Sequence, residues 1–340
     1  MKNLNKLNII LFFGLIWPVN FVSSLANSGQ IFDFPMDSDN ISLASVDITS
    51  EKGISSALSN PSLYNYNKEI YFSLQISQRD LINRSVLGFN IINKKDCFLN
   101  LIILKNSITD IPDTRDVWKD NGDKLIDPTE LYYSDLKFYS QNDLGLIFNF
   151  KKEYNEINFG VNIKPYITSL LSYKCLGLRT DIGYISNLSD RFKMGFVVKD
   201  IINFNYWSVR NEGTSELIIP SLKVSMSYLF DKVNLIFGMN ILDSKISSAK
   251  SEYNYLHTLD SFYFHLNSGL IYSYNKNLSF RLGMNNLGRY GFGFKIHSKE
   301  MRIGYGFYSS HSEFITNPLQ ALSISIDLSM LTNIFNKVNP

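Results

Sequence analysis

Past its N-terminal stretch, the chain alternates apolar and polar positions with period two. Ile157, Phe159, Val161 and Ile163 stand against Asn158, Gly160, Asn162 and Lys164. Val233 to Ile241, Leu278 to Asn286 and Leu322 to Leu328 repeat the arrangement. Such a strand has one apolar face and one wet face. Runs of this kind are eight to fourteen residues long, more than the five or six of an ordinary strand and close to the ~9–11 that a tilted strand needs to cross a bilayer.

Runs of this kind occupy 68–78, 84–93, 96–105, 142–151, 156–167, 175–186, 191–201, 218–230, 232–243, 261–274, 277–286, 290–297, 300–308 and 320–328, fourteen in all. Connections at 186–190, 231–232 and 275–276 are tight, whereas 106–141, 202–217, 244–260 and 309–319 are long. Short turns on one side and long loops on the other predict an all-β chain, a transmembrane antiparallel up-and-down β-barrel of about 14 strands. Tyr71, Tyr184, Tyr228, Tyr272, Tyr305 and Phe307, near strand ends, are the expected aromatic girdles. Backbone groups in lipid must all be paired, so the strands have to close on themselves. A periplasmic or secreted β-sandwich or solenoid is the competing reading, and it leaves these strands without a second layer. Pro165 cannot donate to a ladder, which predicts an edge, a bulge, a kink or the end of the membrane crossing there.

The N-terminus adds a targeting signal. Lys2 and Lys6 precede the apolar run Ile9–Trp17, and Ser24-Leu25-Ala26 supplies small residues for cleavage, so residues 1–26 read as an export signal peptide. A retained anchor helix is the alternative, but the run is short for a ~20-residue span and ends in Pro18.

Composition narrows the classes further. Of 340 residues, 45% are hydrophobic and 19% charged, which excludes disorder. Lysines and arginines number 33 against 31 acids, without a basic run, so no nucleic-acid partner is expected. With 25 Phe and 20 Tyr at a mean hydropathy of −0.06, the chain suits surfaces that are greasy on one side only. The two cysteines, Cys97 and Cys175, exclude a disulfide scaffold and read as small apolar fillers, with a single disulfide as the alternative.

Candidate chemistry is sparse. The wet face carries Lys164, Arg179, Asp181, Arg281 and Arg302, with Lys193, Lys199 and Lys295 nearby, and opposite charges there are expected to pair across a lumen. Trp118, Tyr206 and Trp207, in the loops 106–141 and 202–217, are candidates to face a partner. Asp116, Asp120, Asp123 and Asp127 suggest calcium, but Val117 and Lys119 stand where an EF-hand needs oxygen ligands, so no metal site is assigned. Hydrolase, zinc-protease and P-loop motifs are missing, and the four histidines are scattered; His265 on a wet face reads as a hydrogen-bonded lumen residue. No enzyme and no cofactor are expected. Outward Phe159→Arg or Val161→Arg is expected to impair assembly, whereas Asn158→Ser or Asn162→Ser is expected to be mild.

Several short elements follow one another along the chain: Asn60-Pro61-Ser62-Leu63, Asp110-Ile111-Pro112-Asp113-Thr114, Ser140 to Leu146, Phe159 to Lys164, Gly177 to Gly183, Met194 to Asp200, Phe280-Arg281-Leu282-Gly283 and Met301 to Tyr305. Together they resemble the PorV/PorQ-type proteins, which are similar to FadL-like fourteen-stranded barrels. The resemblance implies an outer-membrane protein of a Gram-negative bacterium, with residues 27–67 as an N-terminal plug, 68–328 as the barrel and 329–340 as a tail. It also implies a non-enzymatic adaptor or scaffold for type IX protein export, with secretion-system proteins or secreted cargo as partners alongside outer-membrane lipid. The alternative it implies is FadL-like passive transport of a hydrophobic small molecule.

Overall fold

The computed structural model describes residues 30–33, 37–49, 53–63, 68–77, 82–94, 97–114, 116–117, 119, 131–154, 157–209, 212–216, 218, 220–243, 257–259, 262–285, 289–310 and 318–330. Residues 1–26, expected to be an export signal, and most of residues 329–340 lie outside them. A 3-10 turn (Gln30–Phe32) and two short helices, α1 (Ser38–Ser42) and α2 (Ser56–Ser59), come first. The strands that follow are β1 (Glu69–Ser77), β2 (Ile82–Lys94), β3 (Cys97–Asp113), β4 (Lys137–Tyr154), β5 (Ile157–Leu170), β6 (Tyr173–Asn187), β7 (Phe192–Lys199), β8 (Asn203–Val209) and β9 (Glu212–Glu216). The rest are β10 (Ser221–Phe230), β11 (Val233–Asp243), β12 (His257–Leu259), β13 (Phe262–Ser273), β14 (Leu278–Asn285), β15 (Arg289–His297), β16 (Met301–Ser310) and β17 (Leu319–Asp327).

Fourteen of these strands form a closed antiparallel barrel, because β17 returns to β1 in unbroken register from Glu69 opposite Asp327 to Ser77 opposite Leu319. The period-two pattern sets the orientation: Phe159 and Ile163 are exposed on the outer face, whereas Asn162 and Lys164 are buried within. Closure leaves no free edge in the ring, as lipid requires.

Three strands depart from the expected plan. Residues 202–217, expected as a loop, contain the hairpin β8–β9, and β12 pairs with the start of β13. The hairpin extends the wall: β6 pairs with β7 over Ile182–Asn187 and with β8 over Lys174–Arg179. Asp200, at φ 59, turns the chain between the two partners. The loop 106–141 is likewise shorter than expected, since β3 runs on to Asp113 and β4 begins at Lys137. The extended part carries a bulge between Ile108 and Ile111, with Asp110 at φ 55.

Pro165 neither ends nor shifts its strand. Gly145 faces Tyr166 and Phe148 faces Ile163 in one register, while Leu146 and Ile147 are missing from the β4–β5 ladder at that point. The proline lacks the N–H that would close the gap. Tyr71, expected in the girdle, faces inward instead, 5% exposed, with its hydroxyl 3.0 Å from Ser323 Oγ. The two cysteines form no disulfide; Cys175 is buried and Cys97 is exposed.

Candidate functional site

The inner wall of β1–β5 is layered by register. One polar row runs Asn90–Asn100–Asn149–Asn162 across β2 to β5, each residue directly opposite the next, and reaches Asp181 on β6. Asn100 donates to Asn149 and Asn149 to Asn162, each at 2.8 Å. A second row runs Gln75–Arg84–Asn106–Asp143, with Arg84 Nε 3.1 Å from Asn106 and Asn106 Nδ2 2.7 Å from Asp143. Between the rows lies an apolar band formed by Tyr71, Val86, Ile102, Leu104, Ile147 and Tyr166.

That band is filled by the N-terminal segment. Ile31, Phe32, Ile54 and Ala57 pack into it, and the Phe32 ring meets the edge of Tyr166 at 5.7 Å between centroids. Elsewhere the same segment follows the inner wall: Ser38 lies against β16, Ile41 and Ser42 against β15, Leu43 against β14, Val46 against β13 and β11, and Ile48 against β7. The wet-face glycines make room for it. A Cβ on Gly283 would overlap the Leu43 backbone, and one on Gly160 would overlap the Pro61 carbonyl, so glycine is required at both positions. Asn162 donates to Ala57 O at 2.8 Å and Asn149 to Pro61 O at 3.0 Å, which fastens the segment to the asparagine row. Asn162 serves two partners in a water-excluded position, so Asn162→Ser, mild on the strand pattern alone, is now expected to loosen the segment.

The five charged residues singled out from the sequence divide among three places. Lys164 Nζ lies 2.6 Å from Asp181 and 3.0 Å from Asp200, and Arg179 binds Asp200 and, at 2.8 Å, Asp33. These form one cluster beside Phe32, buried except for the half-exposed Asp33, and the Phe32 ring centroid is 5.1 Å from Lys164 Nζ. Arg281 and Lys295 instead share Asp39 of α1, and Arg302 pairs with Glu69. Periodicity reveals the bases and, among their partners, Asp181 and Glu69, which stand on strands; Asp33 and Asp39 sit in a segment without strand period, and Asp200 in a turn. Burial alone would raise Asp39, but Arg281 and Lys295 outweigh it and hold the carboxyl at about 2. Nearby Asp37, buried and next to that charge, is pushed up to about 6.

Of the partner-facing candidates, Tyr206 is exposed, whereas Trp207 packs against the inner apolar cluster. Adjacent residues of one strand point to opposite faces, so the pair cannot share a partner. Trp118 lies outside the described residues, as do Asp120, Asp123 and Asp127. Asp116 and Asp135 pair with Lys137 and Lys119, and no cluster of metal-binding side chains occurs among the described residues. His265 is buried on the inner face.

The sequence matches no protein-family profile and no curated protein. Solved structures do resemble the fold. The Ralstonia pickettii toluene transporter TbuX aligns at a TM-score of 0.60 and 10% identity over 86% of this chain and 98% of its own. For the Pseudomonas putida toluene transporter TodX the values are 0.57 and 10% over 84% and 96%, and for the CymD monoaromatic hydrocarbon channel 0.57 and 10% over 86% and 97%. At such identity the likeness establishes architecture alone: this chain has the closed fourteen-stranded fold of FadL-type outer-membrane barrels.

Proposed function

We propose that the chain is an outer-membrane channel for a small hydrophobic molecule, non-enzymatic, with residues 27–67 acting as a hatch in its lumen and residues 1–26 removed on export. One observation carries the reading: an apolar band inside a polar lumen, bounded by two hydrogen-bonded rows and occupied by Ile31 and Phe32 of the hatch. When those side chains leave, the band offers a passing apolar molecule the same contacts, and the polar rows keep water-loving solutes from sharing them. The named neighbours are hydrocarbon channels, which supports transport over the export-adaptor alternative.

The test is uptake of labelled toluene by cells carrying the chain in the outer membrane, against cells carrying an Ile31→Gly/Phe32→Ser variant. Uptake above the empty-vector level, faster in the variant, is the expected result. Uptake equal to the vector in both would reject the channel. The export-adaptor reading, which the PorV/PorQ resemblance implies, has one observation of its own: Phe204 and Tyr206 are exposed on β8, where the hairpin extends the wall. Co-purification of several secreted proteins sharing one C-terminal domain would favour it.

A further inference from the structure

A second feature of the lumen lies beside the hatch and stands apart from the transport reading. A cavity of about 60 Å³ separates the N-terminal segment from the wall, and Lys164, Lys199 and Lys223 all line it. Lys164 is committed to Asp181 and Asp200. Lys199 and Lys223 make no ion pair among the described residues. They belong to the adjacent strands β7 and β10, where Ser221 faces Lys199 and Lys223 faces Val197, so both point from one inner face at diagonal positions. Two side chains so placed have Cβ atoms about 7–8 Å apart, within the joint reach of two flexible ammonium groups. Around the cavity four cations, Lys164, Arg179, Lys199 and Lys223, stand against three carboxylates, Asp33, Asp181 and Asp200. The basic side chains around the space thus outnumber the acidic ones by one.

We propose that this cavity holds a compact monoanion of the short-chain carboxylate type, taken between the ammonium groups of Lys199 and Lys223. Size sets the class. A water needs roughly 10–15 Å³ of such space, so the cavity accepts a molecule of about four to six heavy atoms and no long acyl chain. The lining is two-sided: the lysines serve a carboxylate, and Ile48, Leu58 and Ile147 serve a methyl or ethyl end. Asp33 and Asp181 also border the space, but Arg179 and Lys164 already match their charge.

The test is equilibrium dialysis of the full-length protein in detergent with labelled acetate at neutral pH and low salt. One saturable acetate per chain is expected, about tenfold weaker or worse in Lys199→Met and in Lys223→Met, since a charge-assisted hydrogen bond contributes that much. Lys276→Met, in the exposed turn after β13, leaves binding unchanged. Heat-dependent migration on gels checks that each barrel is folded. On the unaltered protein, propionate displaces acetate and octanoate does so about tenfold less well or worse, a readout that needs no variant. No saturable acetate on a folded barrel, binding indifferent to both lysines, or octanoate binding as well as acetate would each overturn the site. Because no flux is measured, failure here leaves the channel reading standing, and the toluene experiment leaves this one standing.

Discussion

Asn162 on β5 donates a 2.8 Å hydrogen bond to the carbonyl oxygen of Ala57, 105 positions earlier in the chain. The same amide accepts from Asn149, so one side chain joins two strands and the segment inside them. Replacing it by alanine strands a buried carbonyl and an Asn149 N–H, a cost of about 1–3 kcal/mol. Asn162→Ala and Asn162→Ser are expected to speed amide exchange in residues 54–63 while β5 stays protected. Unaltered exchange there would show that the asparagine row does not hold the segment.

At Gly160 the question is volume. The Pro61 carbonyl occupies the place of a Cβ, so Gly160→Val has to push backbone, not a pliable side chain. The barrel assembles, because the added methyls fall in the lumen, but the N-terminal segment is displaced and becomes open to added protease. A segment as resistant as in the unaltered protein would contradict the close approach.

Acidity acts on the same segment through two neighbouring carboxylates with opposite signs. Asp39 is held at about 2 against an ordinary 3.8, so its contribution is present above pH 4 and is lost as pH falls toward 2. Asp37 is raised to about 6, so the docked state keeps its proton more tightly than the free segment does, and docking weakens as pH rises from about 4 to 6. Docking is therefore firmest near pH 4. Asp37→Asn, which still accepts from the Asn40 N–H, removes the loss between pH 4 and 6 and leaves the acid limb intact. Exchange of amides 38–43, corrected for intrinsic rates, reads both limbs, and an unchanged upper limb in the variant would sink the assignment.

Much of the barrel was legible because period two is a local property. Each of the fourteen runs overlaps a barrel strand, and the inward face of β5 is the one that Asn158, Gly160, Asn162 and Lys164 mark. The ion pairs were half legible. Lys164 and Asp181 stand on adjacent strands, but the partner of Arg179 lies 146 positions away at Asp33 and that of Lys295 lies 256 away at Asp39, and no periodicity ties such residues together. Trp207 shows a different limit. Its neighbour Tyr206 is exposed, and only the pairing of β8 with β6 decides which of the two turns inward.

The outer face carries its own test. Ile163, 37% exposed at the middle of β5, points outward from the barrel, and the proposed outer-membrane setting gives it lipid to face. Ile163→Arg is expected to cost about 2–4 kcal/mol near the bilayer midplane. Ile163→Leu is expected to cost little. Denaturant titration in lipid vesicles compares them, and equal midpoints would mean that this face does not meet hydrocarbon.

Arg179 and Asp200 allow the sharpest test of the lumen charges, because each is almost wholly buried and each has a second partner. Asp200 accepts from Arg179 Nε at 2.7 Å and from Lys164 at 3.0 Å, while Arg179 also holds Asp33. Removing Asp200 by Asp200→Asn leaves two bases facing Asp33 and Asp181 alone, and breaking a buried pair this way costs about 3–5 kcal/mol. Replacing both members, as in Arg179→Met/Asp200→Asn, removes a base together with its acid, and the loss is expected to be smaller than in the single variant. Charge reversal by Asp200→Lys is expected to be worst, since three bases then crowd one site. Denaturant midpoints of the three variants in vesicles give the ranking. A double variant less stable than Asp200→Asn would mean that Arg179 holds the lumen through Asp33 and its packing on Phe32, with Asp200 a bystander.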